Sequence, residues 1–168
     1  MALREVSVVL TERRIAVIGS NGSGKSTFAR MLNGLVTPSS GKVLVHGLDT
    51  TREAKQLRRR VGFIFSNPDA QIVMPTVAED VAFSLRGRNL PRHEVAERVS
   101  ATLGRYGLTT IADAPAHTLS GGQKQLLALA AILIREPALV VADEPTALLD
   151  AANTRCIANH LLDELPQQ

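Results

Sequence analysis

Gly19-Ser20-Asn21-Gly22-Ser23-Gly24-Lys25-Ser26 constrains this chain more than any other stretch. Glycines at 19, 22 and 24 keep side chains away and let successive backbone N–H groups converge as a nest for an anion. Just before it, Arg14-Ile15-Ala16-Val17-Ile18 reads as a buried parallel strand, a short apolar run ended by Gly19. Just after it, Ser26 to Leu35 reads as a helix, with Gly34 as its stop signal. That helix offers its positive N-terminal end to the same anion. Lys25 adds a charge for β- and γ-phosphates, and the Ser26 hydroxyl is placed to ligate Mg²⁺. Strand, glycine turn and helix in this order predict an ATP-binding P-loop over Gly19, Ser20, Asn21, Gly22, Ser23, Gly24, Lys25, Ser26 and Thr27.

The remaining pattern alternates strands with helices. Pro38-Ser39-Ser40-Gly41 is a turn signal, and Lys42-Val43-Leu44-Val45-His46 reads as a strand closed by Gly47. A helix over Glu53 to Arg60, a strand over Val61 to Phe65 and a turn at Asn67-Pro68-Asp69 follow. From Val77 to about Tyr106 the pattern is helical, broken between Gly87 and Pro91. Ser120 opens a helix to about Arg135 that is apolar almost all round, and therefore buried. Ala138-Leu139-Val140-Val141-Ala142 reads as a second buried strand, and a last helix covers Ala152 to Leu165. The fold class expected is α/β with a mainly parallel sheet.

Two further motifs carry chemistry. Asp143-Glu144 stands at the end of a buried strand, where ligands of open α/β sheets sit. Asp143 can hold Mg²⁺ through a water, and Glu144 can polarise an attacking water as the catalytic base, with Lys25 as the phosphate-binding cation. Leu119-Ser120-Gly121-Gly122-Gln123 is a second anion site in outline, with Ser120 as the N-cap. One chain rarely needs two such sites for one nucleotide, unless the second serves a neighbouring molecule.

Walker A, Ser-Gly-Gly-Gln and Asp143-Glu144-Pro145-Thr146 occur in this order, and nearly the whole chain resembles the nucleotide-binding domain of the ATP-binding cassette (ABC) superfamily. The resemblance implies a P-loop NTPase (RecA-like) core with a small β region and a helical subdomain at about 77–119, all in one domain over 1–168. It implies a head-to-tail dimer with a second ATPase subunit, identical or a paralogue, in which Ser120, Gly121, Gly122 and Gln123 contact the partner's ATP. Asp150 falls at the D-loop position, and Leu148 stands where the family often has glycine.

Phe65-Ser66-Asn67-Pro68-Asp69-Ala70-Gln71 and Thr76-Val77-Ala78-Glu79-Asp80-Val81-Ala82-Phe83 are similar to the ATPases of energy-coupling factor importers. Among the cobalt-, nickel- and biotin-type importers, the match points to the biotin group. This resemblance implies a membrane coupling subunit, a substrate-binding membrane protein, and a peripheral location on the cytoplasmic face of the cell membrane. Ser66 stands at the Q-loop position where the family has glutamine. A serine reaches the nucleotide only through a water, and Gln71 is the alternative candidate. The family's switch histidine lies beyond Asp150, and His160 falls too early for it, so it is expected at the surface. No aromatic precedes Phe28 to stack on adenine. Both ends read as shorter than the family's.

Composition removes other classes. The longest apolar run, Leu126 to Ile134, is well short of the ~20 residues that cross a bilayer, and the start is unlike a signal peptide. Cys156 stands alone, which excludes a disulfide framework or thiolate cluster and fits a reducing compartment. His46, His93 and His117 lack metal-site spacing. Arg58-Arg59-Arg60 reads as a solvated helix face, and no nucleic-acid partner is expected. A DNA- or RNA-acting relative is the competing class, but the span from Lys25 to Ser120 has neither a heptad run nor a cysteine. A nucleotide-binding fragment with weak hydrolysis is the third reading.

Overall fold

In the computed structural model, which describes residues 3–163, the chain divides into two compact units, one ending at Val61 and one beginning at Gly62.

In the first unit, α1 (Lys25–Leu32) starts where Gly24 takes φ 97° and ends where Gly34 takes φ +64°. Gly34 is required twice over. Its φ favours glycine, and a Cβ there would come 2.5 Å from the Thr50 carbonyl oxygen. The strand expected over 42–46 is instead a small hairpin, β1 (Leu44–Val45) paired antiparallel with β2 (Leu48–Asp49). His46 at φ 48° and Gly47 at φ 78° form its two-residue turn, the doubly left-handed kind that matches strand twist. Next, Asp49 Oδ1 accepts the Thr51 and Arg52 N–H groups at 2.9 and 3.1 Å, turning the chain into α2 (Ala54–Arg60). Leu57 is that helix's buried residue, while Arg58, Arg59 and Arg60 lie exposed, as expected of a solvated face.

A second expectation fails in this unit. Arg14 to Ile18 pairs with no strand among the described residues, and Ile18 is 91% exposed. A buried parallel strand takes both its hydrogen-bond ladder and its burial from neighbours. An apolar run announces that it needs such neighbours but cannot supply them.

The second unit is built around α5 (Gly121–Leu133), which carries Leu127, Ala128, Leu129 and Ala130 with no exposure. Beside it run β3 (Val61–Ile64), buried at all four residues, and β4 (Leu139–Ala142), which form the expected parallel pair. Gly62 allows close packing here, because a Cβ at that position would overlap the Ile132 Cγ2 methyl and crowd Pro137. Two helices come from the expected helical stretch, α3 (Val77–Phe83) and α4 (Arg92–Arg105). A capping box, Thr76 with Glu79, opens α3. Buried Asp80 accepts the Val73 and Met74 N–H groups, both at 2.9 Å, and so closes the loop ahead of that helix. Val77, Val81, Val99, Leu103 and Leu108 join α5 in one aliphatic core, to which Ile157 of α6 (Ala151–Asp163) also belongs. The end of the last expected helix, 164–165, lies outside the described residues.

Candidate functional site

The glycine turn holds a definite shape. Gly22 and Gly24 are both left-handed, and the Ser23 N–H donates to the Ser20 carbonyl at 3.2 Å. Lys25 folds back over the turn, its ammonium donating to the Gly19 and Ser20 carbonyls at 3.1 and 3.2 Å. No side chain caps α1, and no acidic residue stands in its first turn. A helix start left open in this way, beside a nest of N–H groups and a lysine, fits a phosphate chain. Ser26 and Thr27 lie in the first turn of α1. Beside the turn runs an open apolar groove lined by Val6, Val8, Leu10, Ile15, Val17 and Phe28.

In the second unit, β4 carries the carboxylates. The Asp143 N–H donates to the Ile64 carbonyl at 2.9 Å, which ties the end of β4 to β3, and Asp143 is 6% exposed. Glu144 is exposed and takes φ 51°, a left-handed conformation in a non-glycine residue that precedes proline. Such backbone costs about 1–3 kcal/mol and clusters at functional sites. Nothing in the sequence signalled it beyond the carboxylate itself.

Ser120 caps α5 as expected. Its hydroxyl accepts the Gln123 N–H at 3.3 Å, and Gln123 Oε1 accepts the Ser120 N–H at 2.9 Å, a complete capping box. Gly121 faces open space, whereas a Cβ on Gly122 would overlap the Asn153 amide. Asn153 is in turn held by Asp150, which accepts its backbone and side-chain N–H groups, both at 2.8 Å. Those two bonds, the backbone one first, hold the Asp150 carboxyl below the usual carboxylate range. Asp150 therefore caps α6, and the same asparagine lies against the start of α5. Sequence reading missed Asn153, because only the fold brings it to Gly122.

Ser66 lines a cavity of about 140 Å³ together with Asp69, Gly121, Lys124, Leu148 and Leu149. Gln71 is engaged at both ends of its amide, with Oε1 accepting the Phe65 N–H at 3.4 Å and Nε2 donating to the Ala128 carbonyl at 2.7 Å. His160, expected at the surface, is half-buried and stacks on Tyr106 with ring centroids 4.7 Å apart. Its place in α6 turns it toward the buried tyrosine, a contact between distant parts of the chain that no local pattern reveals. Among the described residues no group of histidine, cysteine and carboxylate side chains could hold a metal by itself.

A family model described as ABC transporter matches residues 3–147. The chain is 44% identical over 167 residues to the biotin transport ATP-binding protein BioM of Rhizobium etli, covering 99% of this chain and 74% of that protein. It is 45% identical over 169 residues to the energy-coupling factor transporter ATP-binding protein EcfA1 of Lacticaseibacillus paracasei, covering 98% of this chain and 61% of that one. Among solved structures, cbiO1 of Clostridium perfringens, described as part of the ABC transporter complex cbiONQ, superposes with a TM-score of 0.76 at 37% identity. That superposition covers 88% of this chain and 61% of cbiO1.

Proposed function

We propose that this chain, which belongs to the ABC transporter family and carries its ATPase fold, is the ATP-binding and ATP-hydrolysing subunit of an energy-coupling factor importer. The observation that carries the reading is the glycine turn, with left-handed Gly22 and Gly24, Lys25 folded over it and an α1 start open to an anion. Lys25 and the loop N–H groups hold the phosphates, and Glu144 orients and deprotonates the attacking water. When bound, Mg²⁺ would neutralise phosphate charge; the Ser26 hydroxyl would ligate it, and Asp143 would hold it through a water. Ser120, Gly121, Gly122 and Gln123 close over nucleotide held by a second ATPase subunit.

The partners that follow are that second subunit, a transmembrane coupling subunit and a substrate-binding membrane protein. Among the described residues no helix is long and apolar enough to cross a membrane. Likeness to ATP-binding proteins of transporters is what supports a peripheral place on the cytoplasmic face. Likeness to BioM supports biotin as cargo, while likeness to cbiO1 and EcfA1 supports the importer class without naming a substrate. The family match runs from residue 3 to residue 147 and supports reading both compact units as parts of one ATPase domain.

The test is Mg-ATP turnover by the purified chain and by Glu144→Gln. Turnover that falls at least ~10²-fold in the variant, with ATP still bound, is the expected result. Equal rates in the two proteins would overturn the assignment. Glu144→Gln with saturating Mg-ATP is also expected to elute as a dimer in size-exclusion chromatography.

A further inference from the structure

The chain holds Phe65 between two glutamine amides. The Phe65 N–H donates to Gln71 Oε1 at 3.4 Å, and the Phe65 carbonyl accepts from Gln125 Nε2 at 3.3 Å. The other end of the Gln71 amide donates to the Ala128 carbonyl at 2.7 Å, so both glutamines join the same residue to the same helix. Gln125 and Ala128 are three apart on α5 and therefore share a face. A third tie, Lys124 Nζ to Asp69 Oδ1 at 2.7 Å, fixes the next part of the loop to α5.

Gln125 is 1% exposed. A buried amide costs free energy unless bonded, and an apolar side chain of the same size would fill the space without that cost. What the amide adds is register, because its bond to the Phe65 carbonyl is met at one position of α5 along β3. Both ends of this clamp reach functional groups. Five residues before Gln125 on the same helix stands Ser120, and a helix transmits a displacement along its axis as a rigid rod. Phe65 directly follows Ile64, whose carbonyl takes the Asp143 N–H at 2.9 Å.

We propose that Gln71 and Gln125 are positioning residues that set the Ser120–Gly122 end of α5 against the strand end bearing Asp143 and Glu144. The inference rests on the ATPase reading above for its effect on turnover, but not for its effect on structure. Both glutamines are bonded to Phe65. Each acts through Phe65.

The experiment uses Gln71→Met and Gln125→Met, which keep length and volume and remove the amide, with Glu144→Gln alongside. Amide exchange is expected to quicken about five- to tenfold at Phe65 and at Gln123 and Lys124 in the first turn of α5. The kcat is expected to fall about tenfold or more with KM for ATP unchanged, as for misplaced reacting groups, and the double variant to fall little further than the worse single one. Should Gln125→Met not fold, Gln71→Met carries the test together with the Asp69→Lys, Lys124→Asp exchange, which should recover turnover that each single change loses.

Faster exchange at Phe65 with unchanged exchange at Gln123 and Lys124 would overturn the proposal, as would unchanged kcat. A Glu144→Gln variant as active as the parent overturns the ATPase reading instead, and leaves the exchange result to decide the clamp.

Discussion

Replacing Gly62 with alanine tests the close seating of β3 against α5, on which the geometry of the second unit depends. The φ at Gly62 is not left-handed, so backbone strain plays no part and packing decides the outcome. Alanine in a strand gains about 0.5–1 kcal/mol over glycine by losing less conformational entropy on folding. Against this, the added Cβ would overlap the Ile132 Cγ2 methyl and stand 3.2 Å from Pro137 Cγ, part of a ring that cannot rotate away. Overpacking costs about 1–3 kcal/mol, and crowding on two sides, one of them a rigid ring, puts this site in the upper part of that range, about 2–3 kcal/mol. The net loss is then about 1–2.5 kcal/mol. For a chain of this length that is a Tm lower by about 2–10 °C.

The partner change is Ile132→Leu, which moves the branch from Cβ to Cγ and so deletes the offending methyl at nearly constant volume. Alone it should cost less than about 1.5 kcal/mol. Combined with Gly62→Ala it should recover part of the loss, the Pro137 contact remaining. Thermal unfolding of the four proteins measures the cycle. A Gly62→Ala protein as stable as the parent, or strictly additive effects, would refute the packing argument.

Two more expectations can be checked on the same preparations. Because the Asp150 pKa is depressed by its bonds from Asn153, its stabilisation is fully present above the unfolded value near ~3.9 and is lost as pH falls through the lower folded value. The stability difference between the parent and Asp150→Asn, read by urea unfolding, should therefore be constant from pH 7 to about 5 and close below about 4. A difference that stays the same to pH 2 would count against the cap. Ser66→Gln should be accommodated by the cavity of about 140 Å³ beside it, with parent-like Tm. It should raise ATP turnover, and an unchanged rate would show that position 66 does not serve the nucleotide.

The features legible in the sequence are those whose cause is local. Three glycines dictate the turn at 19–24, Ser120 with Gln123 three residues on dictates a helix start, and the apolar run at 61–64 becomes a strand buried at every residue. What stayed hidden depends on partners far along the chain. Arg14 to Ile18 has strand composition, yet pairing is decided by which neighbour arrives. The hairpin at 44–49 turned on His46 accepting a left-handed φ, which histidine tolerates better than most residues but does not announce. Gln71 and Gln125 meet α5 and Phe65 across 57 and 60 residues, separations no pattern of helical or strand period can report. Glu144 shows the same limit, since its carboxylate was conspicuous and its backbone angle was not.

Lys25 braces its own loop, its ammonium joining the carbonyls of Gly19 and Ser20 and so closing the turn onto the start of α1. The lysine therefore doubles as scaffold. Its removal should quicken amide exchange in the turn as well as weaken phosphate binding, because one side chain serves both.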